Sequence, residues 1–134
     1  MASPRTKGSG EPLSKRDLER LIAVGESDLI EFKRDWYDLT VKEGKAVFAK
    51  DVLALANTAR QDAPAYLLVG VNDDKQVVGV SDPPSAETIS QILSDYTDPP
   101  VNVHCRDYDL DGRKVSVRDL TPIFDPVIAT NPRG

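Results

Sequence analysis

Apolar and polar residues follow two rhythms along this chain, and the places where the rhythm changes mark its elements. Ser14 precedes Lys-Arg-Asp-Leu-Glu-Arg-Leu-Ile-Ala, where Leu18, Leu21 and Ile22 recur at helical spacing and Asp17 sits in the first turn, so a short helix is predicted up to about Gly25. From Leu29 to Arg34 the period drops to two: Ile30 and Phe32 share one face of a strand, Glu31 and Lys33 the other. An aromatic loop, Trp36, Tyr37 and Leu39, follows. Thr40 is the expected cap of the longest helix, Val41 to Thr58. Its predicted apolar stripe is Val47, Phe48, Val52, Leu55 and Ala56, and its predicted wet face Lys42, Lys45, Lys50 and Asp51.

The run Tyr66-Leu-Leu-Val-Gly-Val71 is almost continuously apolar, the pattern of a central strand covered on both faces. Asn72-Asp73-Asp74-Lys75 reads as a turn and Val77-Val-Gly-Val80 as a return strand, which together predict a β-hairpin. After the loop Asp82-Pro-Pro-Ser85, a third helix is expected from Ala86 to about Tyr96, with Ile89, Ile92 and Leu93 inward. Val101 to Leu110 alternates, Asp111-Gly112 signals a tight turn, and Lys114 to Leu120 is the partner strand. The predicted fold class is α+β: a single domain in which three helices pack against a mixed sheet of about five strands.

Length agrees with one domain, since 134 residues bury roughly two-thirds of their unfolded surface. Residues 1–12, rich in Pro, Gly and Ser, are expected to be a disordered leader, with the domain spanning 13–134. Val127-Ile-Ala129 reads as a strand cut short, so the chain is expected to be the N-terminal part of a longer one. A single Cys105 and a single His104 exclude an internal disulfide framework and a Cys-rich zinc site, so any metal would sit among carboxylate oxygens. No apolar run approaches a membrane span and no signal peptide opens the chain, so a cytoplasmic location is expected and no membrane partner. The net charge of −5 opposes nucleic-acid binding, but its distribution is uneven. Residues 1–50 hold ten Lys or Arg against nine Asp or Glu, and residues 51–134 hold seven against thirteen, so a local basic patch near the first strand is compatible with the total.

The candidate chemistry gathers around Gly25–Asp35. Glu26 and Glu31 flank the first strand, and Asp73 and Asp74 follow the central one; if the two strands are neighbours, their carboxylates converge and need a divalent cation or lysines to offset their repulsion. The competing reading of Asn72-Asp-Asp-Lys75 is an ordinary turn. Lys33 and Arg34, with Lys42 and Lys45 on the next helix, are suited to a phosphate backbone, and Trp36 or Tyr37 to stacking on a base. The competing reading is a solvated helix face with aromatics closing the core edge. Phosphate-loop, dinucleotide-binding and nucleophile-elbow motifs are missing from the sequence, and with them the parts for nucleotide hydrolysis and acyl transfer.

Glu26…Leu-Ile-Glu31-Phe-Lys33, the helix ending Ala54-Leu-Ala-Asn-Thr58, Leu67-Leu-Val-Gly-Val-Asn-Asp73 and Val77-Val-Gly-Val80 together resemble the Schlafen-type AlbA-like domain, and Asp98-Pro-Pro-Val and Asp125-Pro-Val fit the same pattern. That family occurs in bacterial proteins classed as transcriptional regulators, so the resemblance implies binding of nucleic acid, DNA or RNA. In the members that cleave RNA, two glutamates at the positions of Glu26 and Glu31, with an aspartate best matched by Asp73, form the catalytic metal-binding set. This implies Mg or Mn as cofactor, with no zinc, and a metal-dependent endoribonuclease as the alternative function. The chain departs from the family pattern at Ala59–Ala65, where a Gly pair is usual. A third reading is an oligomerisation domain, with a homodimer as the expected assembly.

Overall fold

The structure, a computed structural model, describes residues 13–59, 63–98, 101 and 103–120, so the expected leader and the cut strand at Val127 lie outside the described residues. Three helices, α1 (Lys15–Val24), α2 (Lys42–Thr58) and α3 (Ala86–Tyr96), alternate with strands β1 (Ile30–Lys33), β2 (Ala65–Val69), β3 (Val103–Leu110) and β4 (Arg113–Leu120). The sheet is mixed, in the order β1-β2-β4-β3, with β1 and β2 parallel and the other two pairs antiparallel. The parallel pair follows from chain order, because α2 carries the chain back between β1 and β2.

Both faces of the sheet are covered. Ile30, Phe32, Leu68, Val115 and Val117 pack with Leu18 and Ile22 of α1, whereas Leu67, Val69 and Leu120 pack with α2 and α3. Leu67 and Leu68 are both fully buried on opposite faces of β2, as a central strand requires, and each adds roughly 1.5–3 kcal/mol of burial. Ser14 caps α1 by accepting from the Asp17 N–H at 3.0 Å, and Ser85 caps α3 through the Thr88 N–H at 3.1 Å. The β3–β4 turn has positive φ at both Asp111 (56°) and Gly112 (82°), the geometry of a type I′ hairpin turn.

The sheet has four strands rather than about five. Val77–Val80 forms one isolated bridge, Val71 to Val77, and no further ladder. The Gly70 carbonyl accepts from both Val78 and Gly79 N–H groups, so the register cannot advance, and positive φ at Gly70 and Gly79 turns the chain away toward the Lys114 carbonyl, which receives the Val80 N–H. Two details of α2 also differ from expectation. Thr40 spends its hydroxyl on Asp38, so the N-cap position falls to Val41, which makes no side-chain cap bond. Val47, assigned to the apolar stripe, is 48% exposed.

Candidate functional site

Glu31 and Lys33 stand opposite Leu67 and Val69 in the parallel register, which turns them toward α2 rather than toward open solvent. There Glu31 lies near Asp51, the helix residue read from sequence as part of the wet face. Burial pushes the Glu31 carboxyl above its ordinary range, Asp51 adds to the shift, Lys33 opposes it and Glu26 contributes a smaller push. Asp51 accepts a 2.8 Å hydrogen bond from the Tyr37 hydroxyl, and Lys33 Nζ lies 4.7 Å from the centre of the Tyr37 ring. Burial, and then the bond to Asp51, raise the Tyr37 phenol well above its usual range. Glu26 Oε2 accepts the Phe32 N–H at 3.0 Å, so one of its oxygens serves the backbone at β1.

The turn after β2 is organised by Asn72, whose Oδ1 accepts from the N–H groups of Asp74 and Gln76, both at 2.9 Å. Lys75 in this turn donates to the Ala23 carbonyl at 3.1 Å, which pins the turn to the end of α1, beside the segment that carries Glu26. Asp73 itself is exposed. Among the described residues, no three His, Cys, Asp or Glu side chains are gathered so that they could hold a metal ion. The segments that carry Glu26, Glu31 and Asp73 are therefore neighbours, while their carboxylates do not form a ready coordination set.

The basic residues divide in the same way. Lys33 is half-buried on the Tyr37 ring, whereas Arg34 and Lys42 are exposed and Lys45 is partly so, one helical turn beyond Lys42. Trp36, expected as a base platform, is half-buried: its ring has the Arg118 guanidinium 4.9 Å from its centre, and Phe48 packs against it at 6.0 Å. Its Nε1 is buried and finds no acceptor among the described residues. Sequence reasoning passed over two residues here, Asp51 and Arg118. The signal for Asp51 was an acid on a helix directly after an aromatic loop, and for Arg118 an arginine in a strand whose neighbours are both strands.

The start of α2 gathers positive charge from backbone and side chains. With Val41 as N-cap and no side-chain acceptor, the first N–H groups of a 17-residue helix are left without that partner, and they carry the positive end of its dipole. Lys42 and Lys45 flank this end, and Arg34 lies on the loop leading into it.

Comparison with known proteins places these features in context. The Schlafen, AlbA_2 family model matches residues 26–129, which include Glu26, β1, α2, β2 and the hairpin. The fold is similar to that of the DIP2311 protein from Corynebacterium diphtheriae, at 16% identity and a TM-score of 0.56, over 84% of this chain and 22% of that one. It is also similar to the N-terminal domain of a RecG-related protein from Nitrosomonas europaea, at 24% identity and a TM-score of 0.51, over 86% of this chain and 78% of that one. This chain thus spans less than a quarter of the length of the first of these. No curated protein matches it. Among the described residues no helix is long and apolar enough to cross a membrane.

Proposed function

Because this chain belongs to the Schlafen, AlbA_2 family, we propose that it is the nucleic-acid-binding module of a larger regulator, gripping a phosphate backbone at the start of α2. The observation that carries the reading is the α2 N-terminus without a side-chain cap, flanked by Lys42 and Lys45 and approached by Arg34. A helix N-terminus of this kind favours phosphate through its N–H groups and dipole together. Lys33 is given a different task from the one expected of it, since its ammonium is already engaged on Tyr37.

Three outward cations on a single strand imply a salt slope of about −2, so affinity should fall roughly 20-fold between 50 and 200 mM salt. Fluorescence anisotropy with labelled single-stranded DNA and tRNA measures this. The Lys42→Gln/Lys45→Gln double variant should lose about 1.4 of that slope. An unchanged slope in the double variant would remove this face from the interface, and no binding at 50 mM salt by the parent protein would favour the oligomerisation reading, checked by sizing.

The metal-dependent endoribonuclease remains a second reading, favoured by the crowding of Glu31 with Asp51 and Glu26. The described side chains do not fit a Mg or Mn set built on Glu26, Glu31 and Asp73. Incubation of tRNA with Mn²⁺ or Mg²⁺, with and without EDTA, and with Glu31→Ala decides it.

A further inference from the structure

Arg118 is the largest fully buried side chain of the described fold, 1% exposed, in the middle of β4 beneath α2 and α3. An arginine cannot shed its charge, so it must be matched by partners where it lies, and here the match is thin. One terminal nitrogen donates to the adjacent Val117 carbonyl at 3.1 Å and stands 3.6 Å from Asp107, the other reaches the Pro84 carbonyl at a long 3.4 Å, and Nε has no acceptor among the described residues. What the guanidinium does have is the face of Trp36, on a different part of the chain. A well-packed apolar residue would satisfy this position at least as well, so the arginine is a poor device for stability alone.

Trp36 lies two residues after Arg34 and six before Lys42, on the loop between β1 and α2. We infer that Arg118 is a positioning residue: stacked on Trp36, it fixes that loop and so sets the placement of Arg34 relative to the α2 N-terminus. Trp36 also packs on Phe48, and the Tyr37 bond to Asp51 and the Asp38 carbonyl held against Gly44 hold the residues that follow it, so of the loop's anchors Trp36 is the one next to Arg34 in the chain. Arg118 touches no phosphate, since it is buried. Its effect on binding is to keep the loop ordered before the polyanion arrives, so that no ordering cost falls on the binding step.

This inference rests on the proposed nucleic-acid interface, but one of its tests does not. Trp36 is the only tryptophan of the chain, so intrinsic fluorescence reports on the stack directly. In Arg118→Met, acrylamide quenching of Trp36 should rise at least twofold and its emission shift to longer wavelength, while the melting temperature stays within about 2 °C of the parent or rises. Affinity for a labelled single-stranded DNA should fall threefold or more with the salt slope unchanged, because the phosphate contacts are still made; a direct contact would instead lose about 0.7 of slope. Arg118→Lys, which keeps a cation over the ring, should restore most of the quenching protection. It also supplies the comparison if the Met variant does not fold, since parent-like protection with parent-like affinity is then expected.

Unchanged quenching in Arg118→Met overturns the inference, as does an affinity loss that merely tracks a fall in melting temperature. If the parent binds no probe at all, the interface fails and the binding role of Arg118 with it, whereas the quenching comparison still decides whether Arg118 holds the loop.

Discussion

Gly44 tests how tightly the β1–α2 loop is held. A Cβ built on Gly44 would lie 1.8 Å from the Asp38 carbonyl oxygen, and ordinary contact begins at 3.4 Å, so Gly44→Ala forces the loop or the first turn of α2 to retreat by about 1.6 Å. Inside a helix alanine is otherwise favoured over glycine by about 1 kcal/mol, so propensity alone predicts a gain. The retreat of Asp38 draws Tyr37 away from Asp51, a bond to a charged group worth about 1.5–3 kcal/mol. It also disturbs the packing of Trp36 and Tyr37 on Phe48, with ring centres 6.0 and 5.2 Å away, at about 0.5–1.5 kcal/mol each. The losses exceed the gain, and a net destabilisation of about 2–4 kcal/mol is expected, or roughly 10 °C in melting temperature. Urea denaturation followed by circular dichroism, with the slope m unchanged, measures it. A Gly44→Ala protein as stable as its parent, or more so, would refute the idea that the loop is clamped against α2.

Two ionisation predictions follow from the same cluster. The Glu31 carboxyl titrates above its ordinary 4.5 in the folded state, so the folded protein binds the proton more tightly than the unfolded chain and stability falls as pH rises through the interval above 4.5. Glu31→Gln should therefore raise the melting temperature at pH 7–8, with the gain vanishing below about pH 4; a variant destabilised at neutral pH would contradict the burial argument. Tyr37 is held protonated far beyond the ordinary range of a phenol, so Tyr37→Phe should leave the 295 nm absorbance change between pH 9 and 11 as it is in the parent. A loss of one of the four tyrosines' share from that window would mean that the bond to Asp51 is not formed.

How much of this was legible depended on whether the deciding contacts were local. The Ser14 cap, the α3 limits and the Asp111-Gly112 turn are written in residues within a few positions of each other, and each appears as expected. Val77–Val80 had the composition of a strand, but strand formation needs a partner with a matching register, and Gly70 and Gly79 bend the chain before a ladder can extend. The cap of α2 was misplaced by one residue because Thr40 had a competing local partner in Asp38. Asp51 read as wet because helical periodicity places side chains around one helix and does not show which loop lies across them. Arg118 was invisible for a related reason: nothing in an alternating strand tells which polar position ends beneath a tryptophan 82 positions earlier.

The charges of the opening strand and its loop divide by direction. Glu31 and Lys33 point inward with Asp51 and Tyr37, and there the Tyr37 hydroxyl and the Lys33 ammonium already offset the carboxylates, so the crowding of acids does not by itself require a cation. Arg34, Lys42 and Lys45 are the cations of this stretch left facing solvent in whole or part, beside the exposed acids Asp35, Asp38 and Glu43, and they are the ones that remain for a polyanion. The acidic excess of residues 51–134 need not cancel them, because at about 0.15 M salt an exposed charge is screened beyond roughly 8 Å. What matters is then the spacing of three cations across one loop, and that spacing is set by groups none of which meets the phosphate. Tyr37 on Asp51, the Asp38 carbonyl on Gly44 and Trp36 on Arg118 are the three anchors that set it. The inner half of the cluster builds the surface that the outer half uses, which is why substitutions there should alter affinity without altering the number of phosphates neutralised.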